Sequence, residues 1–218
     1  MKMPANRAKT RSPLTRHALA AAALLLPPLA NAHHAMDGRT PDTFFEGLLS
    51  GIAHPVIGPD HFAFLIVAAL LTATLKGSSR YLVPLAFVGA TVAGTLYHVS
   101  AAELPMTETL VALSALLGGI AVLLLKGSLP ALLVGALFAV IGVFHGYAYG
   151  ESIVGAEQTP LLSYLIGFAV IQYAVIAGAS RVLTAMAARS TRLQTWTVRT
   201  AGIASAATGA VFLGMNLA

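Results

Sequence analysis

Apolar runs long enough to be membrane helices recur along this chain, separated by short polar or Gly/Pro-containing breaks. A helix needs about 20 apolar residues to cross a hydrocarbon core. Runs at roughly 59–75, 81–101, 107–125, 129–149, 161–184 and 197–217 approach that length and predict six spans. Ahead of the first run, Thr43-Phe44-Phe45-Glu46 matches a capping box, in which Thr and Glu satisfy each other's free backbone N–H groups. A short helix is expected from there to His54, because a residue before proline is disfavoured in helical geometry. The next helix is expected to start at Pro59 or Asp60. Alternating ten-residue strands are absent, which argues against a β-barrel. The pattern predicts an all-α integral membrane bundle of six transmembrane helices with a broken first helix.

Composition agrees. The chain is 57% hydrophobic and 10% charged, where soluble domains average about 25% charged. Residues 1–32 read as a cleavable secretory signal. Lys2, Arg7, Lys9, Arg11 and Arg16 form a basic start, His17 to Leu29 a short apolar stretch, and Ala30-Asn31-Ala32 an A-x-A cleavage sequence. Pro27-Pro28 and the shortness of the stretch argue against an uncleaved anchor. Residues 33–218 then form one six-span domain.

Once the five leader cations are set aside, eight basic residues face eight acids, so the net charge is zero. The basic pI therefore gives no reason to expect a nucleic-acid partner. Seven of the eight remaining cations (Lys76, Arg80, Lys126, Arg181, Arg189, Arg192 and Arg199) fall on one side of a six-span topology. Basic loops stay cytoplasmic, so both mature termini are expected in the periplasm of a bacterial plasma membrane. The absence of cysteine removes thiolate ligands and disulfides. Ala90 with Gly94, Gly202 with Ala206, Gly118-Gly119, and Gly135 with Ala139 are candidate small-residue contacts between helices.

The candidate chemistry is a set of histidines on one side. His33, His34, His54, His61, His98 and His145 all fall at outer ends in this topology, on several separate segments. Ionisable groups near a span usually face an internal site. Imidazole and carboxylate suit divalent Ni, Co and Zn. His54 and His61 are seven residues apart, about 10.5 Å along an unbroken helix, but Pro55, Gly58 and Pro59 permit closer approach. Asp60 serves either as a helix cap or as a ligand, and the two are compatible. His98 is either a ligand or an imidazole hydrogen-bonded across helices. Phe144-His145-Gly146-Tyr147-Ala148-Tyr149-Gly150-Glu151 adds His145 and Glu151 as candidate ligands, with Tyr147 and Tyr149 as either site or interfacial residues. A new N-terminus at His33-His34 offers amine and imidazole together.

His54, Pro55, Gly58, Asp60 and His61 meet the pattern His-Pro-x-x-Gly-x-Asp-His, and Phe144, His145 and Gly146 meet a later Phe-His-Gly pattern. Together they make residues 33–218 resemble the HupE/UreJ family of nickel/cobalt permeases and hydrogenase or urease accessory proteins. Many relatives carry a further His two or four residues after His145, where this chain has Tyr147 and Tyr149. The resemblance implies transport of Ni²⁺ or Co²⁺ toward the cytoplasm for a hydrogenase or urease maturation system. It implies neither an enzyme nor a prosthetic group. No Gly-x-x-x-x-Gly-Lys-Ser/Thr loop is present to hydrolyse ATP. Two other classes remain open. One is a haem-binding electron carrier using His98 and His145 as axial ligands. The other is a membrane metalloenzyme with Asp60 or Glu151 as base.

Overall fold

The computed structural model describes residues 39–100, 103–125 and 127–217. The leader expected at 1–32 and the His33-His34 pair lie outside them. Among the described residues seven α-helices follow in order: α1 (Phe44–Ile57), α2 (Pro59–Ala73), α3 (Ser79–Val99), α4 (Thr107–Leu124), α5 (Ala131–Gly150), α6 (Gln158–Arg189) and α7 (Thr191–Asn216). A 3₁₀ turn over Glu151–Ile153 ends α5. No strand occurs among the described residues. Helices α3 to α7 are each long and apolar enough to cross a membrane, and α1 with α2, bent by 76°, supply a sixth span if counted together.

The capping box forms as the sequence predicts. Thr43 Oγ1 accepts the Glu46 N–H at 3.2 Å, and the Glu46 carboxylate accepts the Thr43 N–H at 3.3 Å. The expected end at His54 is corrected by the structure, because α1 continues through Pro55 to Ile57. Pro55 removes its own N–H and crowds the preceding turn, but the donors after it remain, and the last turn still closes through a Gly58 N–H to His54 carbonyl bond of 3.1 Å. The break falls one proline later. Pro59 pushes Gly58 into extended geometry (φ −73°, ψ 108°) and opens α2 at its first position.

Helix α2 is the central element and packs against α4, α6 and α7. Leu65, Val67, Ala68 and Ala69 have no exposure, so α2 is buried around its circumference rather than along one stripe. Around it, α3 pairs with α5, α4 with α7 and α1 with α6. Small residues set these approaches. A Cβ at Gly94 or Gly146 would meet the backbone of α5 or α3, respectively, and one at Gly119 would lie 2.6 Å from the Gly202 carbonyl. The Ala90/Gly94 and Gly202/Ala206 pairs therefore sit in helix contacts as expected. Gly135 does not, since its nearest neighbour would be 4.0 Å away.

Helix α6 is longer than the apolar run suggests. Its 32 residues span about 48 Å at 1.5 Å each, against a core of about 30 Å. It joins α7 through Ser190 alone, whose hydroxyl accepts the Leu193 N–H at 3.2 Å. The helix directions gather His54, His61, His98 and His145 at one end of the bundle. Lys76, Arg80, Arg189, Arg192 and Arg199 lie at the other.

Candidate metal site

The bend between α1 and α2 sets His54 in the last turn of one helix and Asp60 and His61 in the first turn of the next. The rings of His54 and His61 come to 5.7 Å between centroids. Gly58 is needed for this fold-over, because a Cβ there would stand 2.8 Å from His61 Cδ2. His54 and His61 are almost fully buried, and Asp60 and His145 are completely so.

A chain of hydrogen bonds assigns the imidazole protons. Ser114 Oγ donates to the Val111 carbonyl at 2.7 Å, so it accepts from His145 Nε2 at 2.9 Å. His145 Nδ1 is then an acceptor, and His61 Nδ1 donates to it at 2.9 Å. Tyr164 Oη likewise gives its proton to the Tyr149 carbonyl at 2.7 Å and receives the Nδ1–H of His54 at 3.0 Å. Ser152 Oγ lies at the same distance from that nitrogen. In both His54 and His61 the ring proton then sits on Nδ1. Histidines that bind metal typically donate the other ring N–H to a fixed partner, which sets the tautomer.

Asp60 completes the group. Its Oδ1 accepts the His61 N–H at 2.9 Å inside the first turn of α2, but the N-cap is Gly58 and no side chain caps the helix, so the expected capping role is corrected. Its Oδ2 is buried with no hydrogen-bond partner. A buried carboxylate oxygen without a donor is costly, and such a group calls for an explanation such as an ion. The Tyr149 ring packs against both imidazoles, 4.5 Å from His61 and 5.0 Å from His54, and its hydroxyl is also without a partner. Tyr149 has no exposure, so it belongs to the site and not to an interfacial belt.

Nearer the end of the bundle, His98, Glu108 and Glu151 line a cavity of about 390 Å³. His98 Nδ1 donates to the Tyr147 carbonyl at 2.6 Å, and the His98 ring stacks on Tyr147. The candidate residues therefore divide into a deep group of His54, Asp60, His61 and His145, and a mouth group of His98 and Glu151. Among the described residues, no three His, Cys, Asp or Glu side chains stand close enough to hold an ion as they are. His145 is enclosed by Phe64 and Phe87, and both its ring nitrogens are engaged. No nitrogen remains on it for the axial bond that a haem carrier would need.

The family described as HupE / UreJ protein matches residues 21–212. The chain belongs to the HupE/UreJ family. It is similar to Protein HupE of Rhizobium leguminosarum bv. viciae, with 29% identity over 147 residues that cover 67% of this chain and 72% of the relative. No solved structure matches. In this HupE/UreJ chain the motif residues His54, Asp60 and His61 meet at the helix bend. Ser114, Ser152 and Tyr164, which orient the imidazoles, and Glu108 at the mouth were not singled out from sequence. Their one signal is polarity inside apolar spans.

Proposed function

We propose that this HupE/UreJ chain is a secondary carrier of Ni²⁺ or Co²⁺. It moves the ion from the periplasm toward the cytoplasm to supply a hydrogenase or urease maturation system. The observation that carries this reading is Asp60 Oδ2, a buried oxygen with no donor, next in the chain to the buried His61 imidazole, whose Nδ1 is tied to His145. Nitrogen and carboxylate ligands suit these ions, and one carboxylate offsets part of the charge of a dication.

In this scheme Glu108 and Glu151 attract the cation into the mouth, and His98 receives it there. His54, Asp60 and His61 hold it at the bend, with His145 as the positioning partner of His61. A membrane potential of 100 mV, negative inside, favours entry of a dication by about 4.6 kcal/mol, at about 2.3 kcal/mol per charge. The reading requires no chemistry on an organic substrate.

Uptake into liposomes holding the purified chain, compared for Ni²⁺, Co²⁺ and Zn²⁺, tests the proposal. Saturable entry of nickel or cobalt above protein-free liposomes supports it. No uptake of either ion contradicts it.

A further inference from the structure

At the end remote from the histidines, α2, α4, α6 and α7 surround a cavity of about 760 Å³. That volume falls within the roughly 300–1,000 Å³ of ligand-binding pockets. Its walls are of two kinds. Leu71, Val122 and Leu183 make it aliphatic, whereas Lys76, Gln194 and Arg199 bring two cations and an amide. No carboxylate lines it among the described residues. Lys76 and Arg199 are exposed, so their charged ends are open to an incoming group. Two unopposed cations repel a divalent cation, and the cavity is thereby unsuited to the cargo.

We propose that this cavity binds an anionic phospholipid, its headgroup phosphate on Lys76 and Arg199 and an acyl chain on the leucine and valine walls. The two chemistries of the lining match the two ends of such a molecule. Basic pockets between membrane helices take acidic headgroups in this way, and a lysine stem covers apolar surface while its ammonium reaches the interface. The lipid would fill a gap between helices that pack directly on α2, the helix that carries Asp60 and His61 at its far end. The proposal stands independently of which metal is carried.

The chain supplies its own probe. Trp196 is its single tryptophan, is exposed, and lies between the lining residues Gln194 and Arg199 on α7. The full chain is reconstituted in phosphatidylcholine vesicles that contain equal fractions of either brominated phosphatidylglycerol or brominated phosphatidylcholine, and Trp196 quenching is compared. The expected result is a preference for phosphatidylglycerol that falls about fivefold for each of Lys76→Gln and Arg199→Gln, while Arg181→Gln, outside the cavity, keeps it. Either single variant carries the test if the double variant does not reconstitute. Equal quenching by both lipids overturns the proposal. So does a preference that survives both substitutions or is lost equally in Arg181→Gln. Abolition of the preference by excess inorganic phosphate would mark a free-anion site and overturn the lipid assignment.

Discussion

His61 and His145 meet Nδ1 to Nδ1 at 2.9 Å in a completely buried setting, and the Ser114 hydroxyl decides which of them holds the proton. Ser114 gives its own hydrogen to Val111, so the order of donors runs from His61 through His145 to Ser114. This order puts the His61 ring proton on Nδ1, the tautomer that the proposed metal-binding role of His61 requires. Removing the last link lets His145 turn its tautomer. Outer partners of metal-bound histidines typically contribute 10–100-fold in affinity, so Ser114→Ala is expected to weaken Ni²⁺ binding by about tenfold without loss of assembly. Calorimetric titration of the purified chain checks it, and unchanged affinity would remove the tautomer argument.

Acidification should weaken binding. A protonated imidazole has no lone pair for a metal, so protons and Ni²⁺ compete at His54 and His61. Affinity is expected to be higher at pH 7.5 than at pH 5.5, and His61→Gln should flatten that dependence as well as lower affinity. A pH dependence that is the same in wild type and His61→Gln would exclude His61 as a ligand.

The helix pairs depend on glycine contact. A Cβ at Gly146 would overlap the backbone of Thr91, whereas one at Gly89 meets nothing within 4 Å. Gly146→Leu is expected to destabilise the bundle by about 1–3 kcal/mol or more. Gly89→Ala should be neutral or stabilising by up to about 1 kcal/mol. Thermal unfolding in detergent distinguishes the two, and equal melting temperatures would mean that α3 and α5 do not pack as described.

The cations gathered at one end predict the orientation. With Lys76, Arg80, Arg189, Arg192 and Arg199 on the cytoplasmic side, a reporter fused after Ala218 should work only if it is a periplasmic type. Activity of a cytoplasmic reporter there would make α1 and α2 something other than one bent span.

Several features are legible in the sequence because their causes are local. The capping box at Thr43 and Glu46 joins residues three apart, and the break at Gly58 follows from the proline after it. The helix through Pro55 could not be read in the same way. The preference of a residue before proline is weak enough to yield when α1 packs along α6, where Gly51 would meet the Tyr164 backbone if it carried a Cβ. The partners of the imidazoles were hidden for a different reason. Ser114 lies 31 residues from His145 and Tyr164 lies 110 from His54, so only the tertiary packing of α4 with α5 and of α1 with α6 joins them. The sequence leaves Tyr149 as either a site or an interfacial residue, because its burial depends on α1 and α2 folding over it.

The central claim is that Asp60 Oδ2 is left without a partner because it is a ligand of the transported ion. Asp60→Asn keeps the shape and the oxygen that accepts the His61 N–H, and removes the charge. Nickel uptake into proteoliposomes, at equal reconstituted amounts of wild type and Asp60→Asn, tests this directly. Loss of a buried charged ligand contact worth about 1.5–3 kcal/mol predicts uptake lower by at least tenfold at limiting nickel. Uptake equal to wild type would contradict the account.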